Sequence, residues 1–573
     1  MRDLRWLGPV LIALLALAGC PGDDDDSAEP AQYPTVYCPG DPSGMCDPGG
    51  DTALLAGAAT VSITPTCWET WIDANGNDEY GVTEGDTYED CGCDQLCADD
   101  DGYPGPDEYE GDGVFQAIWL AGSSQGRALH EIHDEIWARA VVLSQGESSL
   151  AIVSVDLIGY SRRPVKDIQD QVRLTTGVDY VLISSTHTHQ GPDTIGIWGP
   201  ALNTSGVVDW YFPQVAEGVI AAIEDAAADQ VPVDLSVAEY DIASSDCEGQ
   251  GINNFNEDHR DPNITDERIF SVLFTETSTG NTVATLVNWP NHPEVMIDNI
   301  IQTSGFAHHW RDGLENGVET PDGTLPGLGG TAVYFQGMCG GMMTPLGTDP
   351  YDLFGVQWTD YSFDMVKAQG DYLAAFSLDS LMDATPVADP QLTFRFKEVG
   401  VPVENEGYWL YLNLGVLDRE LFTFEIPDPD SLIGDGNIPI ATTEVGVIEL
   451  GPVEIVTIPG EMLPEIGIGG YDGSHTGPLQ ELLDEGENAP DLSLAPDAPY
   501  LVDLMDGEYK LFFGLANDEL GYIIPDFQYQ LGDPPYLSEA PGDHYEETNS
   551  VGPAIAGLIE DTAQQLLMWE FPE

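Results

Sequence analysis

The sequence predicts an α/β protein built of mixed sheets with flanking helices. Three observations carry that expectation. Between about 127 and 383, short β-rich apolar runs alternate with longer amphipathic stretches. After about 390 the apolar runs become short and strand-like. The chain has 573 residues, 42% hydrophobic and 9% aromatic, enough to bury a large core and too many for one ordinary compact domain.

The chain starts with an address. Arg2 and Arg5 precede the apolar run Leu11–Leu17, which is too short to span a bilayer and reads as a signal peptide over 1–19. Leu17-Ala18-Gly19-Cys20 resembles a bacterial lipoprotein signal, which implies a lipidated Cys20 that attaches the chain to a membrane. Pro21, where Asp would follow in an inner-membrane protein, points to the outer membrane or cell surface. Residues 20–52 are polar, acidic and Pro/Gly-rich, a flexible tether. The remainder, 53–573, reads as one unit carrying a Cys-rich acidic insertion at about 68–113.

Within that unit, 60–65 reads as the first strand. Strands follow at 138–143, 150–155, 180–185, 233–240, 269–274 and 282–287. Apolar spacing on one face predicts helices over 165–174, 209–228, 305–316 and 357–383. Strands at 392–396, 444–450 and 454–458 and a last helix at 551–569 complete the pattern. No internal repeat is present.

Charge excludes whole classes of partner. The chain has 16 Lys plus Arg against 100 Asp plus Glu, a formal charge of -84. Nucleic acid needs a basic footprint, so it is no partner, and charge gives no attraction to anionic lipid. No feature points to a protein partner. Most of the carboxylates read as a solvated surface that also attracts cations. Nine cysteines are present, eight without Cys20, and six of them lie between 38 and 97. An even count in an exported chain predicts disulfides, including Cys247 and Cys339. Cys91-Gly92-Cys93 with Cys97 also has a spacing that could bind metal.

In the insertion, Asp73, Asn75 and Asn77 with Glu84 at the twelfth position follow the spacing of a calcium loop. Asp78 stands where such a loop takes Gly. Calcium with a structural role and a plain acidic loop are both compatible with this spacing.

Only ten histidines exist. His187 and His189 sit where the strand 180–185 ends, and at i and i+2 on an extended chain they would point the same way. His292, between Pro290 and Pro293, follows a second apolar strand. Loops at strand ends are where α/β proteins place their sites. Spacing leaves a metal or acid/base role and a structural role both open. His308 and His309, in a helix, read as surface or packing residues.

Residues 183–192, Ile-Ser-Ser-Thr-His-Thr-His-Gln-Gly-Pro, resemble the neutral ceramidase signature, with Gln190 in place of Ser. The resemblance continues in order through Ile132-His133-Asp134, Asn288-Trp289 with His292-Pro293, Gly341-Met342-Met343-Thr344-Pro345, Pro459-Gly460-Glu461, and Gly514–Asp518 with Gly521-Tyr522. It implies the fold of the ceramidase catalytic domain, without the family's C-terminal immunoglobulin-like domain. It implies zinc held by His187, His292, Glu461 and Tyr522, and an amide bond of ceramide or a related N-acyl lipid as substrate. Thr344 would stand for the family's catalytic Ser, and His189 would be the helper, acting from behind the metal ligands or on the transition state. Glu519 stands where the family has a second Tyr, and Met342-Met343 replaces Asp-Val.

Two imidazoles, a carboxylate and a phenolate oxygen are suitable zinc donors, and zinc polarises a carbonyl. Attack by the Thr344 hydroxyl and attack by water both remain open. The contrasting expectation is a non-catalytic surface lipoprotein binding lipid or calcium on the same fold.

Overall fold

The computed structural model describes residues 36–39, 52–341, 343–419, 421–422, 438–484, 488–532, 538–542 and 544–569. The signal peptide and most of the tether, Cys20 included, lie outside them, as does Met342. Among the described residues no helix is long and apolar enough to cross a membrane.

Two sheets form the core. The larger has nine strands. Across it run Thr331–Gln336, Thr282–Trp289, Arg268–Glu276, Val231–Asp241, Leu55–Ser62, Trp137–Gln145, Ser148–Val155 and Tyr180–Ser185, with Thr385–Val387 also on Val231–Asp241. The pairs at its two edges are parallel and the rest antiparallel. Parallel edge strands are buried on both faces, and Tyr180–Ser185 is accordingly buried at every position. The smaller sheet orders Leu392–Pro402, Ile440–Leu450, Val453–Thr457 and Tyr509–Phe513, the last pair parallel. The two sheets share one apolar core, with Val272, Leu286 and Phe335 facing Ile448, Ile455 and Phe513.

Helices cover the outer faces. Arg162–Thr175 buries Val165, Ile168 and Val172, and Tyr211–Ala228 buries Val215, Val219, Ala222, Ile223 and Ala226, at helical spacing. Both pack in one cluster with Ala138, Val142, Val153 and Ile183. Phe306–Asn316 and Phe363–Met382 cover the other half of the large sheet. Ala554–Leu567 packs on the small one.

Most expected elements are present with ends moved by a few residues. The helix expected from 357 begins at Phe363, because the Ser362 hydroxyl caps it by accepting from the Met365 N–H at 3.3 Å. The strand expected at 60–65 spans Leu55–Ser62 and stops before Pro65. Thr331–Gln336 and Tyr509–Phe513 were not anticipated. Residues 36–39, inside the expected tether, are not free: Tyr37 pairs with Phe396 through backbone bonds of 3.0 Å, and its hydroxyl donates to Glu444 at 2.6 Å.

The few cations work largely inside. Arg311 grips Asp156 through two bonds of 2.8 and 2.9 Å, and Arg162 grips Glu444 through bonds of 2.9 and 2.7 Å. Asp156 directly follows the strand Ser148–Val155, and Arg311 also donates to Ser304, so the pair ties a strand end to the loop after His292.

Candidate metal centre

Four strand ends converge. Tyr180–Ser185 leads to His187, and Thr282–Trp289 leads to His292, both from the large sheet. Val453–Thr457 leads to Glu461, and Tyr509–Phe513 leads to Tyr522, both from the small one. Glu461 and Tyr522 then face each other in a short parallel pair. Amide side chains stitch the ends together. Asn288 donates to Phe335, Gln336 and Phe512 carbonyls, and Asn517 accepts from the Ile183 N–H at 2.8 Å. Gln336 accepts from Asn291 N–H at 2.9 Å and donates to its carbonyl at 2.7 Å.

The histidines are braced from behind. His187 Nδ1–H donates to the Ile158 carbonyl at 2.6 Å, and His292 Nδ1–H donates to the Met343 carbonyl at 2.9 Å. Each bond fixes the tautomer and leaves Nε2 as a lone-pair donor. Both Nε2 atoms then meet one oxygen, Glu461 Oε2, at 3.2 Å from His187 and 3.1 Å from His292. The Tyr522 hydroxyl is 3.4 Å from His292 Nε2. Donors about 2.0–2.1 Å from a tetrahedral ion stand roughly 3.3 Å apart, so these spacings fit a divalent metal. All four residues are buried, with Glu461 the most exposed at 6%.

His187 and His189 do come together, with ring centroids 4.9 Å apart, but not on an extended chain. His187 has φ +68, a left-handed conformation that costs a non-glycine residue energy. Bonds from Thr186 and His187 N–H to Val155 and Leu157 carbonyls, both 2.9 Å, hold it there. The His189 ring lies 5.4 Å from the His292 ring, and the residue is buried. Its Nδ1 is 3.2 Å from Glu294 Oε2, and Arg127 donates to its carbonyl at 2.9 Å. Gly122, at φ +102, lets the backbone pass the ring, because a Cβ there would sit 2.4 Å from His189 Cγ.

Electrostatics matches the geometry. Burial opposes charge on Glu461, yet the His187 and His292 imidazoles hold its carboxyl well below the ordinary range. Burial also pulls His292 down, but bonding to Glu461, the charges of Glu294 and Glu461, and the Met343 carbonyl raise it to about 9. Burial and the Glu461 charge push Tyr522 well above its ordinary value, so coordination by its oxygen must displace a proton. Burial and the two neighbouring imidazoles hold His189 well below the usual histidine value.

Thr344 directly follows the residue that braces His292. Its backbone pairs with Glu257 through bonds of 3.0 and 2.9 Å, and the residue before it, Met343, braces His292. Its hydroxyl accepts from the Leu346 N–H at 3.2 Å. Asp134 accepts from Thr303 and Ser304, fixing the loop after His292, while His308 is half-exposed on its helix.

Sequence reasoning missed four participants. Glu294 follows His292 by two residues, and proximity was the only signal. Arg127 works through carbonyls and left no motif. Tyr545 meets the Tyr522 hydroxyl at 2.5 Å, so a second phenol stands beside the centre although Glu519 fills the signature position. Cys339 was expected in a disulfide. Instead Cys247 and Cys339 are both free and buried. Disulfides join Cys67 to Cys93 and Cys91 to Cys97, so Cys91, Cys93 and Cys97 are engaged in bonding each other and Cys67 rather than a metal.

The acidic loop also assembles. Glu84 Oε2 accepts from the Asn75 amide at 2.5 Å and the Asn77 amide at 3.2 Å, and Asp73 accepts from N–H groups of Asn75, Gly76 and Asp78. Asp78 has φ +61, the conformation for which such a loop ordinarily takes Gly.

Comparison with solved structures gives the same fold. A crystal structure of neutral ceramidase from Pseudomonas aeruginosa matches 90% of this chain and 75% of that one, with a TM-score of 0.56 and 16% identity. A ceramidase complexed with C2 matches over the same shares, with a TM-score of 0.56 and 15% identity. The chain has a neutral ceramidase-like fold. No protein-family description and no curated protein matches the sequence. The ceramidase-like fold is therefore carried by structure, at an identity too low to transfer residue roles.

Proposed function

We propose that this chain is a zinc-dependent amidohydrolase that cleaves the amide bond of ceramide or a related N-acyl lipid to a fatty acid and an amine. The observation that carries the reading is the convergence of His187 Nε2 and His292 Nε2, each fixed by a backbone carbonyl, on one oxygen of Glu461 at 3.2 and 3.1 Å. His187, His292, Glu461 and Tyr522 would hold the ion. When bound, zinc supplies a Lewis acid that polarises the amide carbonyl.

This chain's residues supply the rest. His189, with its Nδ1 3.2 Å from Glu294 Oε2, takes the proton of the attacking hydroxyl or water. The resulting imidazolium, steadied by the Glu294 carboxylate, returns the proton to the leaving nitrogen, which an amide requires. Thr344 supplies a hydroxyl either as nucleophile or as hydrogen-bond donor to the developing oxyanion. Its extra methyl, relative to Ser, restricts the rotamer. A lipidated Cys20 would hold the enzyme at the surface where acyl substrates lie, in the outer membrane or on the cell surface. Calcium bound by Asp73, Asn75, Asn77 and Glu84 would stiffen the insertion away from the chemistry.

The test is elemental analysis of the purified chain together with fatty-acid release from N-acyl lipids. One zinc per chain and turnover that both vanish in His187→Ala is the expected result. Turnover that survives in that variant would exclude metal chemistry at this site.

A further inference from the structure

We propose that Cys339 is a further donor to the ion at this centre, so that the metal is held through a thiolate sulfur as well as through nitrogen and oxygen. The inference rests on the metal-site reading above and adds a ligand to it. Cys339 lies just past the strand Thr331–Gln336, whose last residue carries the His292 loop through Asn291. The next residue runs flat against the Glu461 segment. Gly340 N–H donates to the Met462 carbonyl at 3.0 Å, and a Cβ on Gly340 would sit 2.7 Å from the Glu461 carbonyl oxygen. That contact sets Cys339 beside Glu461. Its Sγ lies within 4.8 Å of a His292 ring nitrogen and of a Glu461 carboxylate oxygen, and the residue is fully enclosed.

Two comparisons inside the molecule separate this thiol from a packing residue. Cys67, Cys91, Cys93 and Cys97 are oxidised to disulfides, whereas Cys339 is a free thiol. Cys247, the other free thiol among the described residues, sits among Ile242, Ile252, Phe255 and other apolar side chains, with Ser245 Oγ at 3.0 Å. A buried cysteine that packs as a small hydrophobe takes surroundings like those of Cys247. Cys339 instead neighbours an imidazole and a carboxylate that meet each other at 3.1 Å.

Coordination breaks the S–H bond heterolytically. The sulfur electron pair becomes the S–metal bond, one proton leaves to solvent, and no electron is transferred. A thiolate among the donors favours zinc over oxygen-seeking ions such as magnesium.

Cobalt(II) substitution of the whole chain tests this, because thiolate–cobalt bonds give a charge-transfer absorption in the near ultraviolet that nitrogen and oxygen donors do not. The expected result is one cobalt per chain with that band, retained in Cys247→Ser. In Cys339→Ser the band is lost, and cobalt binds at least about tenfold more weakly. A chain that binds one cobalt without the band overturns the inference and leaves the centre intact. A chain that binds no cobalt, or binds it equally well in His292→Ala, overturns the metal reading and this inference with it. The wild-type spectrum decides the matter even where a variant fails to fold.

Discussion

The strand-end centre and the acidic insertion both gather oxygen or nitrogen donors, and they differ in what holds the donors still. At the centre each imidazole is buried, its far nitrogen is fixed by a carbonyl, and the carboxylate lies between two sheets. In the insertion, Asn75 and Asn77 are exposed and Asp73 is half-buried, and their side chains serve the loop's own N–H groups and amides. The centre takes its order from the core. The insertion takes it from two disulfides and from the loop's own turns. Donor count therefore says little about chemistry, whereas burial together with backbone bracing says much.

The largest expected effect lies at the centre. His187→Ala and His292→Ala each lose the metal and lower hydrolysis on the order of 10³-fold or more, since the Lewis acid supplies several kcal/mol. Glu84→Gln, in the loop, leaves zinc content and rate unchanged. If it lowered both, the two regions would not be independent. Thr344→Ala comes next, with turnover reduced on the order of 10²-fold at unchanged zinc content, read from kcat beside elemental analysis.

Disulfides sharpen the contrast from the other side. Removing the Cys67–Cys93 bond, which closes a separation of 26 residues, loosens the insertion by about 3 kcal/mol in loop entropy. Limited proteolysis of Cys67→Ser is expected to cut between 68 and 113 while zinc stays bound. Zinc loss on cutting would show that the insertion supports the centre.

The last effect, spread over several pH units, is a pH slope. Burial pushes the Glu465 carboxyl, just past Glu461, from its ordinary 4.5 up to about 7. Between those values the folded chain keeps a proton that the unfolded chain has lost. Stability then falls as pH rises, by about 1.4 kcal/mol per unit, and levels off above 7. Glu465→Gln removes that slope in denaturant titrations. Asp73 runs the opposite way: burial tends to raise it, but loop N–H groups hold it below its ordinary value.

Much of this was legible in the residues. Tyr180–Ser185 and Thr282–Trp289 are runs of β-formers that cannot be placed except as buried strands, and His187 and His292 follow them directly. The signature around His187 and the Pro459-Gly460-Glu461 turn named residues that the structure brings together. Other features were not legible, because they depend on contacts between distant segments. Sequence cannot show that the Ile158 carbonyl fixes His187, that His187 adopts φ +68, or that Tyr545 reaches Tyr522. Cys339 was misread because an even cysteine count favours pairing, while it is a free, buried thiol within 4.8 Å of donor atoms of His292 and Glu461. Thr331–Gln336 was overlooked although its β-branched and aromatic residues suit a buried strand.

Anomalous diffraction at the zinc edge tests the centre most directly. The expected map holds one peak per chain, within bonding distance of His187 Nε2, His292 Nε2 and a Glu461 oxygen. A zinc-supplied crystal with no peak there, or with its peak among Asp73, Asn75, Asn77 and Glu84, would contradict the assignment of the chemistry to the four strand ends.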